Sequence, residues 1–169
     1  MTRSATVEEI EKHLCALGAR NHEDNTKNVR AFPRHYLITL AEPDFQRLVF
    51  LQTPTLSRIV PPGEDRRLEA VAKRASELSP TEANLGSNWD ISATAARFRE
   101  EYRGQPCRLP PLLLRDARNS ELRWAPYGWY LQDGSHRALG YCMAMLAGEA
   151  QYTPQQAFCA TCRHINVST

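Results

Sequence analysis

The sequence predicts a small α/β (α+β) domain, a mixed sheet flanked by helices, and three observations predict it. The chain has 169 residues, 42% of them hydrophobic and 24% charged, which suits one soluble globular domain with a real core. Stripes at helical spacing and short apolar runs bounded by Pro, Gly and polar residues follow one another along it. Neither repeats nor low-complexity tracts interrupt them. No window approaches the roughly 18 consecutive apolar residues of a membrane span, and "MTRSATVEEIEKHL" lacks the apolar run of a signal peptide. The expected setting is therefore the cytoplasm, without a membrane partner. Five scattered cysteines suit reduced thiols better than a disulfide framework.

The elements follow in order. Thr6 and Glu9 make a capping box ahead of a helix with Ile10, Leu14 and Leu17 on one stripe and Gly18 as its stop. "ARNHEDNTKNVRAFPRH" reads as a polar loop, and "YLITL" (36–40) and "RLVFLQ" (47–52) as strands able to pair as a hairpin. After a proline-punctuated stretch, "RRLEAVAKRASEL" sets Leu68, Val71, Ala72, Ala75 and Leu78 on one helical face. That stripe must be buried, so residues 1–80 are expected to form a helix-strand-strand-helix segment packed on a main domain, residues 88–169. The turn formers of "SPTEANLGSN" (79–88) mark the boundary. Next come a helix in "DISATAARFREEYRG" capped by Asp90 or Ser92, a buried strand in "PPLLLRD" (110–116), a long turn "ARNSELRWAPY", and a strand "GWYLQ" (128–132). A helix over Ala138 to Ala147 and a last extended piece near "QAFCAT" (156–161) complete the chain.

The chemistry concentrates at "DGSHR", residues 133–137. A strand ending at Gln132 and a helix beginning near His136 leave the first helical N–H groups pointing out of the turn, with the positive end of the dipole behind them. Gly134 permits a backbone angle closed to other residues and a close approach by an oxygen-rich ligand. Ser135 can cap the helix or donate to a phosphate. His136 and Arg137 add donors where a helix disfavours positive charge, which suggests a compensating anion. The same residues also fit a plain strand-to-helix turn, with Asp133 as cap and Arg137 solvated.

Together, the helix of "ARFREEYRG", the strand of "PPLLLRD", the strand "GWYLQ" and the turn in "DGSHRALGYCMA" resemble the ParB/sulfiredoxin superfamily over roughly residues 88–148. The resemblance implies a nucleotide-phosphate site. Gly134, Ser135, His136 and Arg137 match its phosphate-cradling turn, and Asp133 its leading acid. Members bind CTP or ATP, and some bind or cut DNA. Ser135 stands where sulfiredoxin carries its reactive Cys, which argues against sulfur chemistry here. The function expected is therefore binding of ATP or CTP, with hydrolysis or transfer of phosphate. The alternative is a DNA-binding or nuclease module, of plasmid or phage type, that grips a backbone phosphate with the same turn.

Other residues join as candidates. Glu100 or Glu101 can act as general base or hold Mg²⁺, though Arg97 and Glu101 also form an ordinary i,i+4 pair. Asp133 is a second candidate for Mg²⁺. Arg115 would clamp a second phosphate if its strand and "GWYLQ" run parallel or staggered. Trp89, Trp124, Tyr127, Trp129 and Tyr130 cluster in sequence, and one from "RWAPYGWY" can stack on a base. Cys159, Cys162 and His164 have spacings acceptable to zinc, without an evident fourth ligand. A net charge of +2 gives no global polycation, while a bias of eighteen Arg to three Lys is compatible with phosphate chemistry.

Overall fold

In the computed structural model, which describes residues 1–18, 22–51, 56–84, 90–102, 106–116 and 129–166, the central strand is the run "LLLRD". All three of its leucines are buried, at no more than 1% exposure. Successive side chains of a strand point to opposite faces, so such a strand needs cover on both. This one has it. β4 (Leu112–Asp116) lies in a six-stranded mixed sheet with β1 (Thr2–Ser4), β2 (Arg34–Leu40), β3 (Val49–Phe50), β5 (Trp129–Asp133) and β6 (Gln155–Thr161), in the order β1-β2-β6-β4-β5-β3. The pairs β4/β6 and β3/β5 are parallel, and β1/β2, β2/β6 and β4/β5 are antiparallel.

One face of the sheet carries Leu40, Leu112, Leu114, Leu131, Ala157 and Cys159. It packs under α3 (Glu42–Gln46), α4 (Leu68–Glu77), α6 (Ile91–Tyr102) and α7 (Ser135–Leu146). The α4 stripe of Leu68, Val71, Ala72 and Ala75 is buried there, as its spacing predicts. The other face carries Leu113, Phe158 and Ala160 against Ile10 and Leu14 of α1 (Val7–Ala16) and Val29 of α2 (His22–Arg30). Thr6 caps α1 through the Glu9 N–H, while the Glu9 carboxylate is taken by Arg3. Ser79 and Glu82 form a complete capping box at α5 (Pro80–Ala83), and Asp90 caps α6 through the Ala93 N–H.

Two expectations need correction. The polar stretch expected as a loop contains α2. Acidic Glu23 and Asp24 sit in its first turn and basic Lys27 and Arg30 in its last, complementing the helix dipole, and only Val29 and Asn25 are buried. Two inward residues are too few to read as a stripe. The strands at 36–40 and 47–52 do not pair as a hairpin. "EPDFQ" folds as α3, anchored by fully buried Phe45, and carries the chain from β2 to β3 at the far edge of the sheet, where it pairs with β5. Residues 1–80 supply β1, β2 and β3, three of the six positions in the shared sheet. Gly104 and the turn 117–127 lie outside the described residues.

Candidate functional site at the start of α7

β5 runs into α7 through one residue, Gly134. Its φ of +88° is the left-handed conformation that glycine adopts without strain. The helix cap is this glycine and not Asp133, and no side chain caps the helix. Ser135, His136 and Arg137 therefore form the first turn, which contains no acidic residue. Negative charge would be favoured at that position. The sequence supplies positive charge instead.

Arg137 folds back over the turn, and its Nη2 donates to Asp133 Oδ2 at 3.1 Å. The two side chains keep 18% and 24% of their surface exposed. A Cβ on Gly134 would stand 2.6 Å from Leu112 Cδ2 and 2.9 Å from Arg137 Nη2. The close approach expected of a ligand oxygen is thus made by the protein's own leucine and arginine. Burial pushes the Arg137 pKa below its ordinary value; Asp133 pulls it back up, and the nearby charge of Arg97 lowers it further. Burial likewise lowers the His136 pKa, against the pull of Asp133. The turn holds a partly desolvated guanidinium with one carboxylate and a second guanidinium around it.

Helix packing brings Arg97 there. Gly140 sits in the middle of α7, and a Cβ at that position would meet Phe98 Cδ2 at 2.6 Å and Thr94 Cγ2 at 3.2 Å. Only glycine lets α6 approach this closely. Arg97 adjoins Phe98, with its guanidinium 5.5 Å from the ring centroid, and Gly140 is one helical turn beyond Arg137. The sequence carried a signal for this contact, since a glycine inside a helix costs about 1 kcal/mol against alanine and marks a close approach.

Arg115 falls elsewhere. β4 and β5 are antiparallel, with Leu113 opposite Asp133 and Arg115 opposite Tyr130. Arg115 is therefore about 10 Å along the sheet from the turn, three residues of strand rise. It also points to the face opposite Leu112 and Leu114, with its guanidinium 5.5 Å from the Tyr130 ring centroid. It cannot clamp a phosphate at the turn. Glu100 and Glu101 are exposed on α6; the charge of Glu101 acts on Cys107, and the charges acting on Arg137 are those of Asp133 and Arg97.

Mg²⁺ does not fit Asp133 as the site stands. Its carboxylate is committed to Arg137, and the Arg97 charge close by disfavours a divalent cation. No group of three or more His, Cys, Asp or Glu side chains able to hold a metal occurs among the described residues. Cys159 is buried in β6 while Cys162 and His164 are exposed beyond it, so the three do not converge. All five cysteines are free. Burial pushes the Cys107 and Cys142 thiols up to about 12, which disfavours the thiolate in both. Of the aromatic candidates, Trp129 has the Arg163 guanidinium over its ring and Tyr130 is buried; Trp89, Trp124 and Tyr127 lie outside the described residues. No helix among the described residues is long and apolar enough to cross a membrane. Comparison with protein-family models, curated proteins and solved structures finds no match for the chain.

Proposed function

We propose that the protein binds a nucleoside triphosphate, ATP or CTP, by holding its phosphates at the first turn of α7. One observation carries the reading. A helix N-terminus with no side-chain cap and no acidic residue in its first turn presents a partly buried Arg137, with Arg97 nearby and Asp133 as counter-charge. Two guanidiniums and the helix dipole against one carboxylate leave an excess of positive charge that a phosphate chain would balance. The backbone N–H groups of Ser135 and His136 would point at the phosphate oxygens, with Arg137 turning from Asp133 to meet them. The resemblance of residues 88–148 to the ParB/sulfiredoxin superfamily points the same way. Hydrolysis or transfer of the terminal phosphate, with Glu100 or Glu101 as base, is the catalytic extension of this reading.

Calorimetric titration with ATP, with CTP and with a short DNA duplex tests it. Saturable nucleotide binding, weakened about ten- to a hundredfold in Arg137→Ala, is expected, as follows from losing one charge-assisted hydrogen bond. Equal affinity in wild type and Arg137→Ala at matched ionic strength would end the reading. Duplex binding with a steep salt dependence and no response to nucleotide would replace it with a DNA-binding module. Released phosphate, followed in wild type and in Glu100→Gln and Glu101→Gln, tests the catalytic extension.

A further inference from the structure

A second concavity, sharing no residue with the α7 turn, opens between α3, the start of β5 and the end of β2. Its volume is about 380 Å³, at the lower end of the roughly 300–1,000 Å³ of small-molecule sites. Ile38, Leu40, Leu48, Trp129 and Ile165 give it an apolar wall. Two of these are fixed by the protein's own polar contacts. The Arg163 guanidinium lies 5.6 Å from the Trp129 ring centroid and is itself anchored on Asp116. The Ile165 N–H donates to the Tyr36 hydroxyl at 3.4 Å.

The remaining lining includes two opposite charges, Asp44 and Arg47. They are three residues apart, a spacing that puts side chains on the same side of a helix and ordinarily lets an acid and a base pair. Here they do not. Among the described residues neither side chain has a hydrogen bond or ion pair, and both are exposed at the cavity. An anionic and a cationic group held apart over an apolar wall match a ligand that carries both signs close together beside an apolar body.

We propose that this cavity binds a small zwitterion with an apolar body, an apolar or aromatic α-amino acid in its simplest form. Arg47 receives the carboxylate as a two-pronged donor, Asp44 receives the ammonium, and the side chain lies along Ile38, Trp129 and Ile165. The volume admits a single small molecule and not a polypeptide segment with its own fold.

Calorimetric titration of the full chain with L-phenylalanine and L-leucine tests the assignment. N-acetyl-L-phenylalanine, which lacks the ammonium, and L-phenylalanine methyl ester, which lacks the carboxylate, are titrated beside them. Both free amino acids should bind saturably. Each derivative should bind about tenfold or more weakly, as expected for one lost charge-assisted contact. Arg47→Gln should weaken the free amino acid and the N-acetyl compound but not the ester, and Asp44→Asn should weaken the free amino acid and the ester but not the N-acetyl compound. Both substitutions are at exposed positions, and retained urea midpoints confirm that the variants are folded. Absence of binding into the millimolar range, equal affinity for the derivatives, or insensitivity to both substitutions would each overturn the proposal.

Discussion

Two arginine–carboxylate pairs stand at opposite ends of β5, and they are built differently. At its start, opposite Trp129, Asp116 uses both oxygens: Oδ2 accepts from Thr161 Oγ1 at 2.8 Å and from Arg163 Nε at 3.0 Å, and Oδ1 accepts from Arg163 Nη2. The Arg163 backbone N–H is held by the same Thr161 hydroxyl, so the network closes on itself. At the other end Asp133 receives Arg137 through one bond at 3.1 Å, and Arg97 adds a like charge. The first arrangement spans 47 residues and ties the tail to the sheet. The second spans four, leaves its cation undercompensated, and ties nothing distant. The closed network serves the fold, and the unbalanced one is where the proposed phosphate site lies.

The largest effect expected is at the closed end. Asp116→Ala leaves the fully buried Thr161 hydroxyl without its acceptor and releases Arg163, at a cost of about 2–4 kcal/mol in urea unfolding at neutral pH. Burial works to raise the Asp116 pKa, but the bonds from Arg163 and Thr161 outweigh it and hold the carboxyl below its usual range. A depressed folded pKa contributes stability that is present above the unfolded value near ~3.9 and lost as pH falls through the lower folded value. The wild-type advantage over Asp116→Ala should therefore shrink in acid. An advantage that persists there would mean that the carboxylate's charge is not what holds the tail.

Next in size is Gly134→Ala, which probes the open end. It combines a left-handed backbone angle with a Cβ at 2.6 Å from Leu112, for about 1–3 kcal/mol. Gly148→Ala shares a positive φ, +72°, but a Cβ there meets nothing within 4 Å. The difference between the two variants isolates the collision from the backbone angle. Because the new methyl group also meets Arg137, nucleotide affinity should fall in Gly134→Ala and not in Gly148→Ala.

The same two ends show what sequence could and could not reveal. Gly134 and the strand-to-helix passage around it were legible, because a glycine between an apolar strand and an apolar helical stripe has few other readings. The all-leucine run of β4 was legible as a buried strand for a similar reason. Strand order was not. Whether Arg115 reaches the turn depends on β4 and β5 running parallel or antiparallel, and neither strand's composition encodes that choice. α2 escaped because its inward face includes Asn25, whose side chain accepts from Gln132 and looks polar in any hydrophobicity pattern. Arg97 escaped because its relation to Arg137 is set by another residue, Gly140, on a different helix.

Arg97→Ala is a smaller perturbation and sharpens the comparison from the α6 side. Arg97 is exposed, so its removal should leave stability within about 0.5 kcal/mol. If the excess of positive charge at the turn serves phosphate binding, ATP affinity should fall severalfold, less than in Arg137→Ala, with the largest loss at low ionic strength. Unchanged affinity at low salt would confine the site to the turn itself.

The smallest effect, and the most specific, is expected of Asp133→Asn, read at His136 and not at the ligand. Asp133 is not the cap of α7, so the exchange removes charge without removing a capping bond. Burial lowers the His136 pKa and Asp133 opposes the fall. Without the carboxylate the histidine should titrate at still lower pH, visible as a displaced NMR titration of its ring protons. The sign for stability follows from linkage: a histidine with a depressed folded pKa contributes stability above its unfolded value near ~6.5, and this is lost as pH falls through the folded value. Asp133→Asn should therefore extend that loss further to the acid side, while Asp116→Asn, at the far end of β5, should leave the His136 titration where it was. A His136 titration that ignores Asp133→Asn would show that the two groups are not electrostatically joined, and the unbalanced turn would reduce to the single contact between Asp133 and Arg137.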